Sequence, residues 1–128
     1  MSYSEILLDN FEHPRNPGNP APDDTGRGIA RWPVCGDLAA IFVKVEGGRV
    51  VRFKHKVTGC GVALACASMY STLVVGKTVE EALAITPDQL SDELGGITPT
   101  KMHAAQIVVA AARSALTNNL LQSGGEAP

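Results

Sequence analysis

Two runs of alternating side chains, with Gly47-Gly48 between them, constrain this chain more than any other feature. In Leu38 to Glu46, Ile41, Val43 and Val45 alternate with Phe42, Lys44 and Glu46. In Arg49 to Val57, Val51, Phe53, His55 and Val57 alternate with Arg52, Lys54 and Lys56. A period of two gives each run one buried face and one wetter face, as in a strand. A Gly-Gly pair between two such runs predicts a tight antiparallel hairpin. Gly28 to Pro33 reads as a further, edge strand.

Helical patterns flank the strands. Ser4 to Phe11 carries Ile6, Leu7, Asn10 and Phe11 at helical spacing, and His13-Pro14 ends it because the proline ring disfavours helix at His13. Pro14 to Asp24 is a proline-rich stretch expected to be exposed and mobile. After Cys60 a helix is expected to about Val75, with Gly76 as its cap. Thr78 with Glu81 forms a capping-box pattern for a short helix to about Ala84. Thr86-Pro87 starts another helix, Gly95-Gly96 stops it, and Thr98-Pro99 starts a last one to about Leu121. Ser123 to Pro128 reads as a frayed tail. Strands followed by helices predict a single α+β domain over residues 1–128, with helices gathered on one face of a small antiparallel sheet.

Composition narrows the function. A net charge of −2 argues against a nucleic-acid binder, and one Trp, two Tyr and three Phe are too few for a base-stacking platform. Val57 to Gly76 carries no charge, but Thr58, Ser68, Ser71, Thr72 and three glycines make it a buried helix rather than a membrane span. The start, Met1-Ser2-Tyr3-Ser4-Glu5, has no basic and apolar leader pattern, and with three cysteines no disulfide framework is expected. A reduced, cytoplasmic setting is the expectation.

The chemistry lies in three short motifs: Pro33-Val34-Cys35-Gly36-Asp37, Thr58-Gly59-Cys60-Gly61 and Lys101-Met102-His103-Ala104. Cys35, Asp37, Cys60 and His103 together supply two thiolates, a carboxylate and an imidazole, enough for one four-coordinate metal. Each falls where an element begins or ends, the places from which a rigid scaffold offers side chains to a shared site. Cys60, at a helix N-terminus, is expected to have its thiolate favoured by the helix dipole. Cys66 lies within Ala63 to Ser68, where packing wants a small residue, and reads as core. His13 and His55 also read as structural, and Cys60 and Cys66 lack the CxxC spacing of dithiol redox enzymes.

In order and context these motifs resemble the U-type iron–sulfur cluster scaffold family, IscU and the N-terminal domain of NifU. The likeness spans nearly the whole chain. Tyr3-Ser4-Glu5 with His13-Pro14-Arg15-Asn16-Pro17-Gly18 resembles the family's opening, and the three motifs resemble its three ligand loops. With no long insertion before the final helices, the chain looks nearer IscU than the zinc-dependent SufU branch. The resemblance implies a three-stranded antiparallel sheet packed by helices, with the ligands at one end. It implies a scaffold rather than an enzyme, taking sulfur from a cysteine desulfurase and iron from a donor. Such scaffolds hold a transient [2Fe–2S] cluster or iron, take zinc in the apo form, and hand the cluster on with help from an Hsp70-type chaperone pair. No nucleic-acid or membrane partner is implied, and a monomer or weak homo-oligomer is expected.

The chain departs from the family twice. The family places a third cysteine directly after the histidine, where this chain has Ala104. A methyl group neither binds metal nor carries persulfide sulfur, so sulfur delivery is the step the departure touches most. The family's chaperone loop, Leu-Pro-Pro-Val-Lys, is here Ile97-Thr98-Pro99-Thr100-Lys101, which keeps only Pro99 and Lys101 as candidate partner-binding residues. Lys101 is also a candidate partner for Asp37 in the metal-free chain. Two rival readings stand beside the scaffold. One is a divergent paralogue that binds zinc or mononuclear iron in a regulatory or sequestering role. The other is a thiol enzyme with Cys60 as nucleophile and His103 as base.

Overall fold

The computed structural model describes residues 3–33 and 36–123, with side chains to residue 117. The elements run α1 (Glu5–Glu12), β1 (Gly26–Trp32), β2 (Asp37–Glu46), β3 (Arg49–Thr58), α2 (Gly61–Val74), α3 (Val79–Leu83), α4 (Pro87–Glu93), a 3-10 turn (Pro99–Lys101) and α5 (Met102–Ser123). The strands form one antiparallel sheet in the order β1-β2-β3. This is the expected α+β arrangement. The frayed tail expected from Ser123 lies, from residue 124 on, outside the described residues.

Gly47 and Gly48 close the β2–β3 hairpin, and Glu46 pairs with Arg49 across it. The strict alternation expected in β3 is interrupted. Lys44 pairs with Arg52 and Val45 with Val50, so Val51 is an extra, bulged residue. The bulge inverts the pattern: Val50 is buried and Val51 is exposed. In β2, Ala40 and Phe42 are buried as well as Ala39, Ile41 and Val43, so its middle is covered on both faces.

The sheet's inner face packs against α5 and α2, α5 lying across β1 and β2. The approach of α5 requires Gly28, because a β-carbon there would sit 2.1 Å from the Ala111 carbonyl oxygen and 2.6 Å from the Ala115 nitrogen. Ala104, Ala105, Ala111, Ala112 and Ala115 of α5 are all buried, so small side chains permit the close packing. Leu90 of α4 and its C-cap Leu94, with Val79 and Ala82 of α3, close the other end of the core.

The N-terminal segment is tied down rather than free. α1 starts at Ser4, whose side chain accepts from the Leu7 N–H and donates to the Leu94 carbonyl. It buries Leu7 and Asn10 and leaves Ile6, Leu8 and Phe11 part-exposed. The stretch after Pro14, expected to be mobile, is pinned by hydrogen bonds. Arg15 N–H donates to Ser68 Oγ at 2.8 Å, Asn16 Nδ2 to Ser71 Oγ at 3.0 Å, and Gly18 N–H to the His55 carbonyl at 3.0 Å. These partners lie on α2 and β3, and proline counting could not reveal them.

The uncharged stretch that could be mistaken for a span is α2, of 14 residues. Among the described residues no helix is long and apolar enough to cross a membrane.

Candidate metal centre

Strand pairing brings the first two motifs together. Trp32 ends β1 and Asp37 begins β2 as direct partners, and the Gly36 N–H closes the turn on the Trp32 carbonyl at 2.8 Å. Cys35, expected as a ligand, lies outside the described residues. At the same end of the sheet, β3 finishes at Thr58, and Gly59-Cys60 leads into α2 with Cys60 as its N-cap. His103 arrives from the other side, in the first turn of α5, behind the 3-10 turn of Pro99–Lys101.

Asp37 is the hub, and it is almost fully buried. Its Oδ1 accepts the Cys60 backbone N–H at 3.1 Å. Its Oδ2 accepts the Cys60 thiol at 3.2 Å and lies 3.2 Å from His103 Nε2. One ligand atom from each of Asp37, Cys60 and His103 falls within 4.8 Å of the others. Ligands of a tetrahedral zinc sit about 3–4 Å apart, given bonds of about 2.0–2.3 Å. The two 3.2 Å edges have that length, so a small inward shift of Cys60 and His103 would close the set on a metal ion. The donors are one sulfur, one nitrogen and one oxygen, a mixture that suits zinc or iron.

The Cys60 thiol behaves differently from the expectation of a dipole-favoured thiolate. Burial and the adjoining Asp37 carboxylate push it up, while the backbone N–H groups of Ala63 and Val62 pull it only partly back. A thiol that donates to a carboxylate and is harder to ionise than usual is not an activated nucleophile, which weakens the thiol-enzyme reading. A bound cation would reverse the balance by taking the place of the proton.

Cys66 is fully buried in the core, and burial pushes its thiol up to about 12. His55 is also buried, its Nε2 2.7 Å from the Arg15 carbonyl, so it serves structure as expected. Among the described residues no ion pair joins Lys101 to Asp37, and Lys101 lines a pocket of about 270 Å³ beside Cys60, with Tyr3, Leu7, Leu8, Phe11, Gly61 and Val62. Pro99 is exposed. Ala104, next to His103, is fully buried in the core.

Two contributors to the site were missed in the sequence. Gly59 has φ 123°, and a β-carbon there would meet Asp37 Oδ1 at 2.1 Å. Trp32 stacks on His103, ring centroids 5.1 Å apart and planes 23° apart. The only signal for Trp32 was its place five residues before Asp37, a spacing that becomes a contact once the turn is closed.

Comparison with known proteins agrees with this architecture. The NifU-like N terminal domain family matches residues 2–123. The iron-sulfur cluster assembly scaffold protein IscU 1 of Archaeoglobus fulgidus is 39% identical over 122 residues, covering 95% of this chain and 79% of that protein. The IscU scaffold protein of Haemophilus influenzae is 35% identical over 127 residues, covering 97% of this chain and 100% of its own. Among solved structures, the N-terminal part of a NifU-like protein from Brucella abortus superposes with a TM-score of 0.75 at 16% identity, over 93% of this chain and 94% of that one. A putative SUF-system scaffold protein from Fervidobacterium islandicum gives 0.72 at 19% identity, over 89% and 96%. At those identities the structural likeness speaks for the fold, while the sequence matches carry the kinship: this chain belongs to the NifU-like N-terminal domain family.

Proposed function

We propose that this protein is an iron–sulfur cluster assembly scaffold of the IscU type, a binding module rather than an enzyme. The observation that carries the reading is the single Asp37 oxygen 3.2 Å from both the Cys60 sulfur and the His103 nitrogen. In this reading Asp37, Cys60 and His103 hold the cargo, iron or a transient [2Fe–2S] cluster, with Cys35 as the fourth ligand. Zinc occupies the same residues when no cluster is present. The helix N-termini behind Cys60 and His103 offset the negative charge that the ligands bring together. In the metal-free state Asp37 holds the proton-bearing thiol in place, so the ligands are gathered before cargo arrives. A cysteine desulfurase supplies sulfur, an iron donor supplies iron, and the exposed Pro99 turn with Lys101 is the part offered to a chaperone pair. The setting is cytoplasmic, and the chain works as a monomer or weak homo-oligomer.

One observation favours a second reading. Ala104 is sealed in the core where the scaffold pattern would have a third sulfur. A paralogue that binds zinc or mononuclear iron, without accepting sulfur, has no need of that sulfur. Anaerobic reconstitution with iron, cysteine and a desulfurase separates the two. Visible charge-transfer absorption together with acid-labile sulfide in equal amount to iron is the scaffold's result, whereas iron without labile sulfide is the paralogue's. A colourless protein with one zinc per chain is likewise the paralogue's result.

A further inference from the structure

We propose that Trp32 is a positioning residue of the metal centre: its indole, stacked on His103, holds the imidazole with Nε2 directed at Asp37 and Cys60. The inference rests on the metal-binding reading above. An offset stack at 5.1 Å and 23° has the geometry that aromatic pairs prefer. The indole is not a loose cover. Trp32 is the cross-strand partner of Asp37, its carbonyl closes the turn through Gly36, and its ring packs against the core. One backbone pairing therefore places both Asp37 and the surface that orients His103. An imidazole in a first helical turn otherwise turns about two side-chain bonds, and fixing it on binding would cost entropy. Stacking removes that freedom in advance and shields one face of the ring from water. Groups that orient a ligating histidine usually make hydrogen bonds to it. Here the orienting group would be a flat apolar surface on the ring face, beside the Asp37 contact at Nε2.

Trp32 is the one tryptophan of the chain, so its fluorescence reads the site directly. Cobalt(II) titration of the metal-free protein, followed by thiolate-to-cobalt absorption and by fluorescence, tests the proposal. In the wild type, fluorescence is expected to quench in step with the absorption. Trp32→Phe should bind cobalt within about threefold of the wild type, and Trp32→Ala about tenfold more weakly, the lower end of what losing an orienting group costs. In a His103→Ala background, the same Trp32→Ala change should alter affinity by less than about twofold, because no imidazole remains to orient. That last result separates positioning from a general structural role. Saturation without quenching, equal binding by wild type and Trp32→Ala, Phe as poor as Ala, or an undiminished loss in the His103→Ala background would each overturn the inference. A wild type that binds no cobalt overturns the metal-centre reading and this inference with it. The wild-type fluorescence result stands even where a variant fails to fold.

Discussion

Gly59 and Asp37 are in contact so close that a β-carbon on Gly59 would lie 2.1 Å from Oδ1 of Asp37. That closeness is what allows the Cys60 N–H to reach the carboxylate at 3.1 Å. The glycines around Cys60 thus have a steric function beyond ending a strand.

Gly59→Ala should therefore damage both stability and site. The added carbon must displace Asp37, and the positive φ adds backbone strain of about 1–3 kcal/mol. Loss of stability of about 2 kcal/mol or more in urea, with weakened cobalt binding, is the expected outcome. A variant with wild-type stability and affinity would show that Asp37 has room to move.

Cys60→Ser should abolish or severely weaken metal binding, while Cys66→Ser should leave it intact. Cys66 is sealed in the core, so its substitution leaves a buried hydroxyl in an apolar setting and costs about 1–3 kcal/mol of stability instead. Metal titration and urea unfolding of the two variants check this. Equal loss of metal in both would mean that Cys66 supplies a ligand sulfur.

His55 should make the protein acid-sensitive. Its Nε2 must donate to the Arg15 carbonyl, and its buried Nδ1 finds no partner among the described residues. Burial is the main reason that its folded pKa lies below the ordinary value, with Lys54 nearby acting in the same direction. A lowered folded value means that the unfolded chain takes up the proton first. Stability from this group is complete above about pH 6.5 and falls as pH drops from there towards the folded value, at up to about 1.4 kcal/mol per pH unit. His55→Gln keeps a donor near the Nε2 position without a titrating ring. It should show a lower plateau and a shallower decline between pH 7 and 5 in urea melts. An unchanged slope would assign the acid sensitivity elsewhere.

Ala104→Cys should lengthen the lifetime of any cluster formed in desulfurase-driven reconstitution, because it adds the third thiolate beside His103. The position is fully buried, so the extra atom costs about 1–3 kcal/mol of packing rather than helix propensity alone. Absorbance decay of wild type against variant decides it. Equal decay would mean that Ala104 does not limit the cluster.

Much of the molecule was legible along the chain. Thr78 with Glu81 and Thr86 with Pro87 start helices where their side chains meet nearby N–H groups, and both caps are present. Thr98 was the exception. It precedes a 3-10 turn and its side chain makes no cap hydrogen bond, so α5 begins at Met102 instead. A cap signal specifies that a helix starts, but packing chooses the turn from which it starts.

Local chemistry in the sequence determined the hairpin, the starts of α3 and α4 and the three motifs at element ends, because each depends on neighbours within about four residues. The β3 bulge, the pinning of Arg15 and Asn16 to α2, and the stack of Trp32 on His103 were decided only in three dimensions. The bulge is set by the pairing of β3 with β2, and in the other two, partners far apart in the chain meet only once the helices pack on the sheet. The same holds for the thiol of Cys60. Its sequence position promised an easily ionised group, but burial and the Asp37 carboxylate, which the fold carries across from β2, outweigh the helix N-terminus.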